Sequence, residues 1–274
     1  MLARDLLVAS ADTDSILRFD GDTGAAKGVF VASGSGGLID PLSPTFGPDG
    51  NLYVISNDSS DIRVLKYSGT SGAFLSTFID KGPGAASDIQ FGPDGNLYLA
   101  TISTFGVLRY HGTTGAFLGV AASGNGIRRA SGIDFGSDGL LYVLDSDSTV
   151  DTFNDRVLRF NPTSGAFVDQ FVTPGSIDDG VFLTVGPDNN LYTPDIHPEV
   201  VRRFSGSTGA AFGQFDEVTP QATSPIFDID FGPDGNVYAA LSNRILRYDG
   251  ETGKFLDVFV DGVAGGSTTF FPAL

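Results

Sequence analysis

The sequence contains no cysteine and no tryptophan, and it has one methionine and two histidines among 274 residues. The absence of cysteine excludes a disulfide framework and thiol catalysis. Positive charge is also scarce, with 16 Lys and Arg against 33 Asp and Glu and a net charge of -17. Nucleic acids and anionic lipids bind through clustered Lys and Arg, so this balance argues against both as partners. It favours cations or cationic partners, unless the acidic surface serves only solubility.

Long apolar runs are missing as well. No stretch has the length needed to cross a bilayer, so membrane insertion is not expected. The first six residues, 1–6, lack the basic, apolar and cleavage regions of a signal peptide. We expect a monomer that is secreted or periplasmic, with its leader absent from this chain.

A repeat runs through the whole sequence. The phrase FGPDGNLYV at 46–54 returns with small changes at 91–99, 135–143, 185–193 and 231–239. A second phrase consists of an apolar pair, a base and an aromatic residue, and its bases are Arg18, Lys66, Arg109, Arg159, Arg203 and Arg247. Successive bases lie 43 to 50 residues apart. This period is typical of β-propeller blades with four strands each.

The last complete copy shows the four strands of one blade, A to D. They are expected at 228–231, 236–240, 244–248 and 254–260, because these runs are rich in Val, Ile, Phe and Tyr. Pro233-Asp234-Gly235 predicts a tight turn between strands A and B.

The second phrase occurs six times but the first only five, which indicates how the ring closes. The chain opens with a strand-B sequence at 5–10 and ends with a strand-A sequence at 267–272. Pairing them completes a sixth blade and removes free sheet edges. The prediction is an all-β, six-bladed β-propeller with four antiparallel strands per blade, in one domain, 1–274. Its blades are 5–31 plus 266–274, 41–79, 86–122, 130–172, 180–216 and 226–260.

The FGPDGNLYV phrase and the related VLRY and TTGAFL phrases resemble the NHL-repeat and streptogramin-lyase-like six-bladed propellers. Related gluconolactonase-like propellers hold a divalent cation at the channel mouth with Glu, Asn and Asp. The resemblance places that site at the starts of the A strands, which here are Ser43, Asp88, Gly132, Phe182, Asp228 and Ser267. This ring supplies two carboxylates and no Asn. Streptogramin lyases use His with Mg²⁺ near the mouth, a role that the resemblance would assign here to His197.

The D–A and B–C loops share one rim of a propeller, and here they vary in length and are rich in Asp. Variable loops on a rigid scaffold commonly carry function. The longest B–C loop, 145–155, has oxygen-bearing side chains at alternate positions: Asp145, Asp147, Thr149 and Asp151. That spacing suits Ca²⁺, or Mg²⁺, although Val150 and Arg156 differ from an EF-hand loop. The alternative is a solvated polar loop.

Blade five departs from the repeat most often, and such departures cluster at functional or strained places, although drift in a tolerant blade would look the same. Its B–C loop contains His197 and Glu199, candidates for a catalytic base. The candidate ligand-binding residues on this rim are Arg128, Arg129, Asp178, Asp179, Asp195 and Arg202.

Asp88 and Asp228 occupy equivalent positions in blades three and six, which face each other across a six-fold ring. Together they could hold a cation or an ordered water, or each could hydrogen-bond separately to neighbouring loops.

Three functional hypotheses follow. The first is a non-enzymatic binding or scaffold propeller for an unknown small molecule or protein, with an acidic rim that can bind calcium. The second is a metal-dependent hydrolase or lyase, in which Asp88 and Asp228 hold the ion and His197 or Glu199 acts as base. The third is a protein-interaction surface on the rim for a basic partner.

Overall fold

The structure, a computed structural model, describes residues 5–58, 61–82, 84–102, 106–146, 154–196, 200–215, 225–262 and 272–273. These residues form six four-stranded antiparallel sheets, the blades of a six-bladed β-propeller. The fold class predicted from the sequence is confirmed. The described residues contain no helix that is long and apolar enough to cross a membrane.

In blades two to six the strands follow one another in chain order, from the channel outwards. Blade one contains β1 (Asp5–Ser10), β2 (Ser15–Asp20) and β3 (Ala26–Val31), and blade two contains β4 (Pro41–Phe46), β5 (Leu52–Asp58), β6 (Asp61–Tyr67) and β7 (Phe74–Gly82). Blade three contains β8 (Ala86–Phe91), β9 (Leu97–Thr101), β10 (Val107–Tyr110) and β11 (Phe117–Ala122), and blade four contains β12 (Ala130–Phe135), β13 (Leu141–Asp145), β14 (Arg156–Phe160) and β15 (Phe167–Val172). Blade five contains β16 (Thr184–Val185), β17 (Leu191–Asp195), β18 (Val200–Phe204) and β19 (Ala211–Gln214), and blade six contains β20 (Asp228–Phe231), β21 (Val237–Ala240), β22 (Arg244–Tyr248) and β23 (Phe255–Asp261).

Blade one is closed by a strand from the other end of the chain. Strand β24 (Pro272–Ala273) pairs antiparallel with β1, with Leu7 opposite Ala273 and Val8 opposite Pro272. This is the seam that the repeat count predicts. Residues 263–271, which carry most of the expected closing strand, lie outside the described residues.

The FGPDGNLYV phrase builds both a turn and an inter-blade contact. In blade two, the Asp49 carboxylate accepts hydrogen bonds from the Asn51 backbone N–H (3.1 Å) and the Tyr53 hydroxyl (3.2 Å). Gly50 takes the left-handed conformation that the turn requires, with φ of 72°. The buried Tyr53 ring then packs edge-on against Phe91 of blade three, with ring centroids 4.9 Å apart. The same tyrosine-to-phenylalanine contact joins blade three to four and blade five to six.

The bases of the second phrase have two structural roles. Arg159 pairs with Asp169 of its own blade at 2.6 Å and lies 4.2 Å from the centre of the Phe171 ring. Arg109, whose outer-strand neighbour is Gly119, instead donates to the carbonyls of Pro162 and Thr163 in blade four. Arg247 and Arg203 repeat these two arrangements in blades six and five. The column of bases therefore stabilises blades and the contacts between them.

Candidate functional site

The A strands line the central channel with two rings of side chains. Alternate residues of a strand share a face, so each A strand contributes a residue at its start and another two positions later. The first ring contains Ser43, Asp88, Gly132, Phe182 and Asp228. The second ring contains Thr45, Gln90, Asp134, Thr184 and Asp230, all of which line the channel cavity.

Phe182 divides the channel into two compartments. It lines a cavity of about 670 Å³ that extends to the A–B turns, where Pro187, Pro233 and Gly235 contribute to the wall. It also lines a cavity of about 280 Å³ on the side of the variable loops. Its ring packs against the apolar cluster of blades one and two, together with Leu42. We call the larger compartment the chamber and the smaller one the mouth.

Blade five holds Phe182 in this position because its strand A is short. Strand β16 has two residues, and extending its register would place Phe182 opposite Pro194, which has no N–H to donate. The Phe182 carbonyl instead accepts a hydrogen bond from the Thr193 hydroxyl at 2.6 Å. The departures of blade five from the repeat thus serve to place an aromatic residue in the channel.

Asp88 is buried and connects three blades. One carboxylate oxygen accepts the Ser43 hydroxyl at 2.5 Å, and the other accepts the Ile133 backbone N–H at 2.9 Å. Burial raises the pKa of Asp88 to about 7, although these hydrogen bonds oppose the rise. Both oxygens are already engaged by the protein, which favours the hydrogen-bonding alternative for this residue over a metal ligand.

Asp134 has a comparable role one blade further on. Its carboxylate accepts the backbone N–H groups of Phe135 and Val185, both at 2.7 Å. Burial raises the pKa of Asp134 to about 6. Asp134 therefore joins blade four to the short strand of blade five.

Asp228 differs from Asp88 although both lie in the first ring. The neighbouring blade presents Phe182 where Asp88 meets Ser43, and a phenyl ring cannot donate a hydrogen bond. The Asp228 carboxylate accepts only the Ile229 backbone N–H, at 2.8 Å, from the described part of the chain. Burial raises its pKa well above the ordinary value, and the negative charges of Asp230 and Asp88 add to the rise. No group of three or more His, Asp or Glu side chains among the described residues is arranged to hold a metal ion.

The mouth combines an apolar floor with polar walls. Phe182, Phe227 and Ile102 contribute apolar surface. The polar lining consists of Asn57, Ser87, Arg129, Ser131, Ser146 and Asp179. Of the rim residues expected from the sequence, Arg129 and Asp179 are therefore the two that line this cavity.

Asp145 and Arg128 hold the rim loops of blade four instead of lining the mouth. Asp145 is fully buried, and one oxygen accepts the backbone N–H groups of Arg128 and Arg129 at 2.8 and 3.1 Å. Its other oxygen pairs with Arg156 Nε at 3.0 Å. These three donors leave the expected calcium loop without a free ligand at its first position.

Blade five repeats this arrangement. Asp195 is fully buried and pairs with Arg202 Nε at 2.7 Å. It also accepts the Asp178 backbone N–H at 3.2 Å, which attaches the D–A loop to the end of strand B. The contacts at this rim thus involve the Asp195 and Arg202 side chains and the Asp178 backbone, and none of these three residues lines the mouth. The remaining expected residues, Asp147, Thr149, Asp151, His197 and Glu199, lie outside the described residues.

The sequence interpretation missed the second ring. It placed the site at the strand-A starts and did not count two residues further along each strand. The signal was present, because these positions carry polar side chains in an otherwise apolar strand, among them Gln90, Asp134 and Asp230.

Comparison with known proteins shows similarity at the level of structure. No protein-family model and no curated protein matches the sequence. A chain of a nidogen/laminin complex superposes with a TM-score of 0.74 at 16% identity, covering 98% of this chain and 97% of that one. A streptogramin B lyase gives 0.62 at 15% identity over 96% and 76% of the two chains. A gluconolactonase from Xanthomonas campestris gives 0.64 at 14% identity over 84% of each.

At these identities the likeness concerns the fold. The solved structures include a streptogramin B lyase, one of the families that the repeat phrases resemble, whereas no family match supports the NHL repeat. By its strand order, its closure and its structural neighbours, the chain is a six-bladed β-propeller. Its fold is similar to that of the streptogramin B lyase, of the gluconolactonase and of the chain in the nidogen/laminin complex.

Proposed function

We propose that this chain is a non-enzymatic binding propeller that takes a compact organic ligand at the mouth. The observation that carries the proposal is Phe182, which closes the channel directly beneath the variable loops and provides an aromatic floor. Ligand sites are typically concave and mostly apolar, with a few polar groups that set orientation. The mouth has this composition.

The charges of the mouth indicate the kind of ligand. In the described part of the lining there is one base, Arg129, and one acid, Asp179, so these charges balance. Serine hydroxyls and Asn57 supply further hydrogen-bonding groups. At about 280 Å³ the cavity is at the lower end of the roughly 300–1,000 Å³ typical of ligand pockets. A small neutral or zwitterionic molecule with one apolar face fits these features best.

The described residues that line the mouth include no combination of catalytic groups, which favours ligand binding over catalysis. Metal-dependent hydrolysis needs an ion held by several ligands and a base near it. Asp88 is engaged by Ser43 and Ile133, and no group of three or more His, Asp or Glu side chains in the described part of the chain is arranged to hold a metal ion. The hydrolase or lyase hypothesis rests on His197 and Glu199 and stays a prediction.

The experiment is ligand-observed NMR with a panel of neutral and zwitterionic aromatic fragments, repeated on Phe227→Ala. Phe227 lines the mouth, so removing its ring should abolish saturation transfer for fragments that bind there. Phe117→Ala is the matched control, because Phe117 is 58% exposed on the outer strand of blade three. If no fragment binds, or if both variants behave alike, the mouth is not the site.

The same samples test the enzymatic alternative. Metal content and turnover of simple lactones are measured before and after chelation. Turnover that disappears on chelation and in His197→Ala would replace the binding proposal with the hydrolase. Calcium that is retained without turnover would instead agree with a metal bound by the 145–155 loop.

A further inference from the structure

The outer strand of blade three differs in composition from the outer strands of the other blades. Strand β11 (Phe117–Ala122) is the last strand of its sheet, and its sequence FLGVAA contains no polar side chain. Each of the other five outer strands has at least one, among them Lys27 in β3, Ser76 in β7, Asp169 in β15, Gln214 in β19 and Asp257 in β23. All six outer strands have a β-bulge, so composition is the feature that differs. Charged residues normally keep an edge strand from pairing with another chain, and β11 lacks them.

The side chains and the backbone of β11 are both accessible. Phe117, Leu118 and Val120 are 58%, 43% and 46% exposed. Between them lies Gly119, where an added Cβ atom would meet nothing within 4 Å. A glycine inside a strand commonly marks a place where another backbone approaches closely. The edge of blade three therefore combines exposed apolar side chains with open space beside the backbone.

Arg109, in the next strand of the same sheet, lacks the acid that its counterpart has. In blade four the base of the repeat, Arg159, lies opposite Asp169 of the outer strand, and their charged groups are 2.6 Å apart. In blade three Arg109 lies opposite Gly119 instead. Arg109 donates from Nη1 to two backbone carbonyls of blade four and forms no ion pair with a carboxylate of the described residues. Blade three thus has the base without the outer-strand acid.

A strand added outside β11 would bring a residue into the row of Arg109 and Gly119. Neighbouring strands are about 4.8 Å apart, so this residue would lie about 10 Å from strand β10. Because Gly119 has no side chain, a glutamate at that place can reach across it to the guanidinium group. The adjoining residues of the added strand would contact Phe117, Leu118 and Val120, where apolar side chains fit.

We infer that β11 is a docking edge for an extended peptide segment of a partner protein, which adds to blade three as a fifth strand. The segment has apolar residues on both sides of one glutamate, and the glutamate pairs with Arg109. Backbone hydrogen bonds provide the affinity of such strand addition, and side chains provide its specificity. A second copy of this chain fits less well, because its own β11 has no acid to offer and each copy has a net charge of -17. The edge lies on the circumference, so this interaction goes beyond the ligand binding proposed for the mouth.

Fluorescence anisotropy with two labelled, capped peptides tests the inference on the full chain. One peptide is Val-Thr-Val-Glu-Val-Thr-Val, and the other has glutamine in place of the glutamate. We expect the glutamate peptide to bind about threefold to tenfold more tightly, since a partly exposed ion pair with Arg109 contributes modestly. The net charge of -17 repels the glutamate peptide more than the glutamine peptide. A preference for glutamate therefore requires a base at the binding site.

Two substitutions on equivalent outer strands locate the site. Val120→Lys places a charge on the apolar edge and should weaken both peptides by about tenfold or more. Val29→Lys is the matched control, because Val29 has the same position in blade one and is 59% exposed, and it should leave binding unchanged. Arg109→Gln should remove the preference for glutamate while the peptides still bind. The comparison of the two peptides on the wild type stands even if Arg109→Gln is too unstable to use.

Hydrogen exchange identifies the strand that the peptide covers. We expect slower exchange for backbone amides at 117–120 when the glutamate peptide is bound. No binding at millimolar peptide, equal affinity for the two peptides, or protection confined to other strands would overturn the inference. Dimerisation of the chain alone that Val120→Lys abolishes would assign the edge to a second copy and would also overturn it. Phe227→Ala should leave peptide binding unchanged, which separates this edge from the mouth.

Discussion

Gly132 has no side chain at the point where the backbone of Phe182 crosses strand A of blade four. A Cβ atom on Gly132 would lie 2.7 Å from the backbone N of Leu183 and 3.0 Å from the carbonyl carbon of Phe182. Real Cβ atoms do not approach backbone so closely, and backbone cannot rotate away as a side chain can. The absence of a side chain at Gly132 in blade four therefore leaves room for the backbone of Phe182 in blade five.

Adding a side chain at Gly132 should displace Phe182 and destabilise the protein. We expect Gly132→Ala to lower the free energy of unfolding by about 1–3 kcal/mol, as is usual for overpacking, and Gly132→Val to lower it further. Urea denaturation measures both. An alanine variant as stable as the wild type, or a valine variant no worse than alanine, would contradict the contact.

Stability should decrease as pH rises from about 4 to 7. Burial raises the pKa of Asp88 to about 7 and that of Asp134 to about 6, from an ordinary value of 3.8. The folded protein holds these protons more tightly than the unfolded chain, so their stabilising effect is complete below pH 4 and is lost as pH rises to 7. Thermal melts across this range measure the slope.

Asp88→Asn provides the control for that slope. The amide oxygen can accept the Ile133 N–H while the amide NH₂ donates to Ser43 Oγ, so the geometry is retained without a titrating group. We expect a flatter dependence between pH 4 and 7. An unchanged slope would assign the pH dependence to other groups.

At the acidic end the sign reverses. The Lys27 hydrogen bond lowers the pKa of Asp20 to about 2. Stabilisation from this pair is present above pH 4 and is lost as pH falls to 2. Melting temperature should therefore have its maximum near pH 4, and Lys27→Met should reduce the loss below that pH.

Removing Arg202 should be costly because Asp195, which is fully buried, loses the guanidinium group that pairs with it. Asp195 is fully buried and pairs with Arg202 at 2.7 Å. Breaking a buried pair from one side typically costs about 3–5 kcal/mol. Because the Arg202 side chain is 24% exposed and Asp195 keeps the Asp178 N–H, Arg202→Met should destabilise by less, about 1–3 kcal/mol. Lys254→Met, at an exposed position of blade six, should change stability by less than about 1 kcal/mol. Similar effects in the two variants would return Arg202 to the candidate ligand-binding residues.

The repeat allowed the fold to be predicted in detail because each blade depends on local signals. Strands β20 and β22 begin and end at the expected residues, β21 begins one residue later than expected, and β23 is shifted by one residue at both ends. The turn, the alternating apolar residues and the missing sixth phrase are all visible in the sequence. The closure of the propeller could be predicted by counting the two repeat phrases, without knowing any contact between residues that are distant in the sequence.

The site was less accessible to such reasoning because its features depend on contacts between blades. The sequence shows that Pro194 breaks a strand, but it does not show that Phe182 then crosses the channel to the cluster of blades one and two. Asp145 and Asp195 look like ligands in a polar loop, and only their partners Arg156 and Arg202 show that they are buried anchors. Charge patterns alone do not distinguish a binding residue from a paired one.

The position of Phe182 between the mouth and the chamber also has a thermodynamic consequence for binding. With Phe182 in place, a solute at the mouth and another in the chamber do not compete for space, so each would add its own increment to stability by mass action. Phe182 lines both cavities, so a change in its rotamer could couple them. The propeller is therefore a molecule with two separate compartments, each filled from its own side.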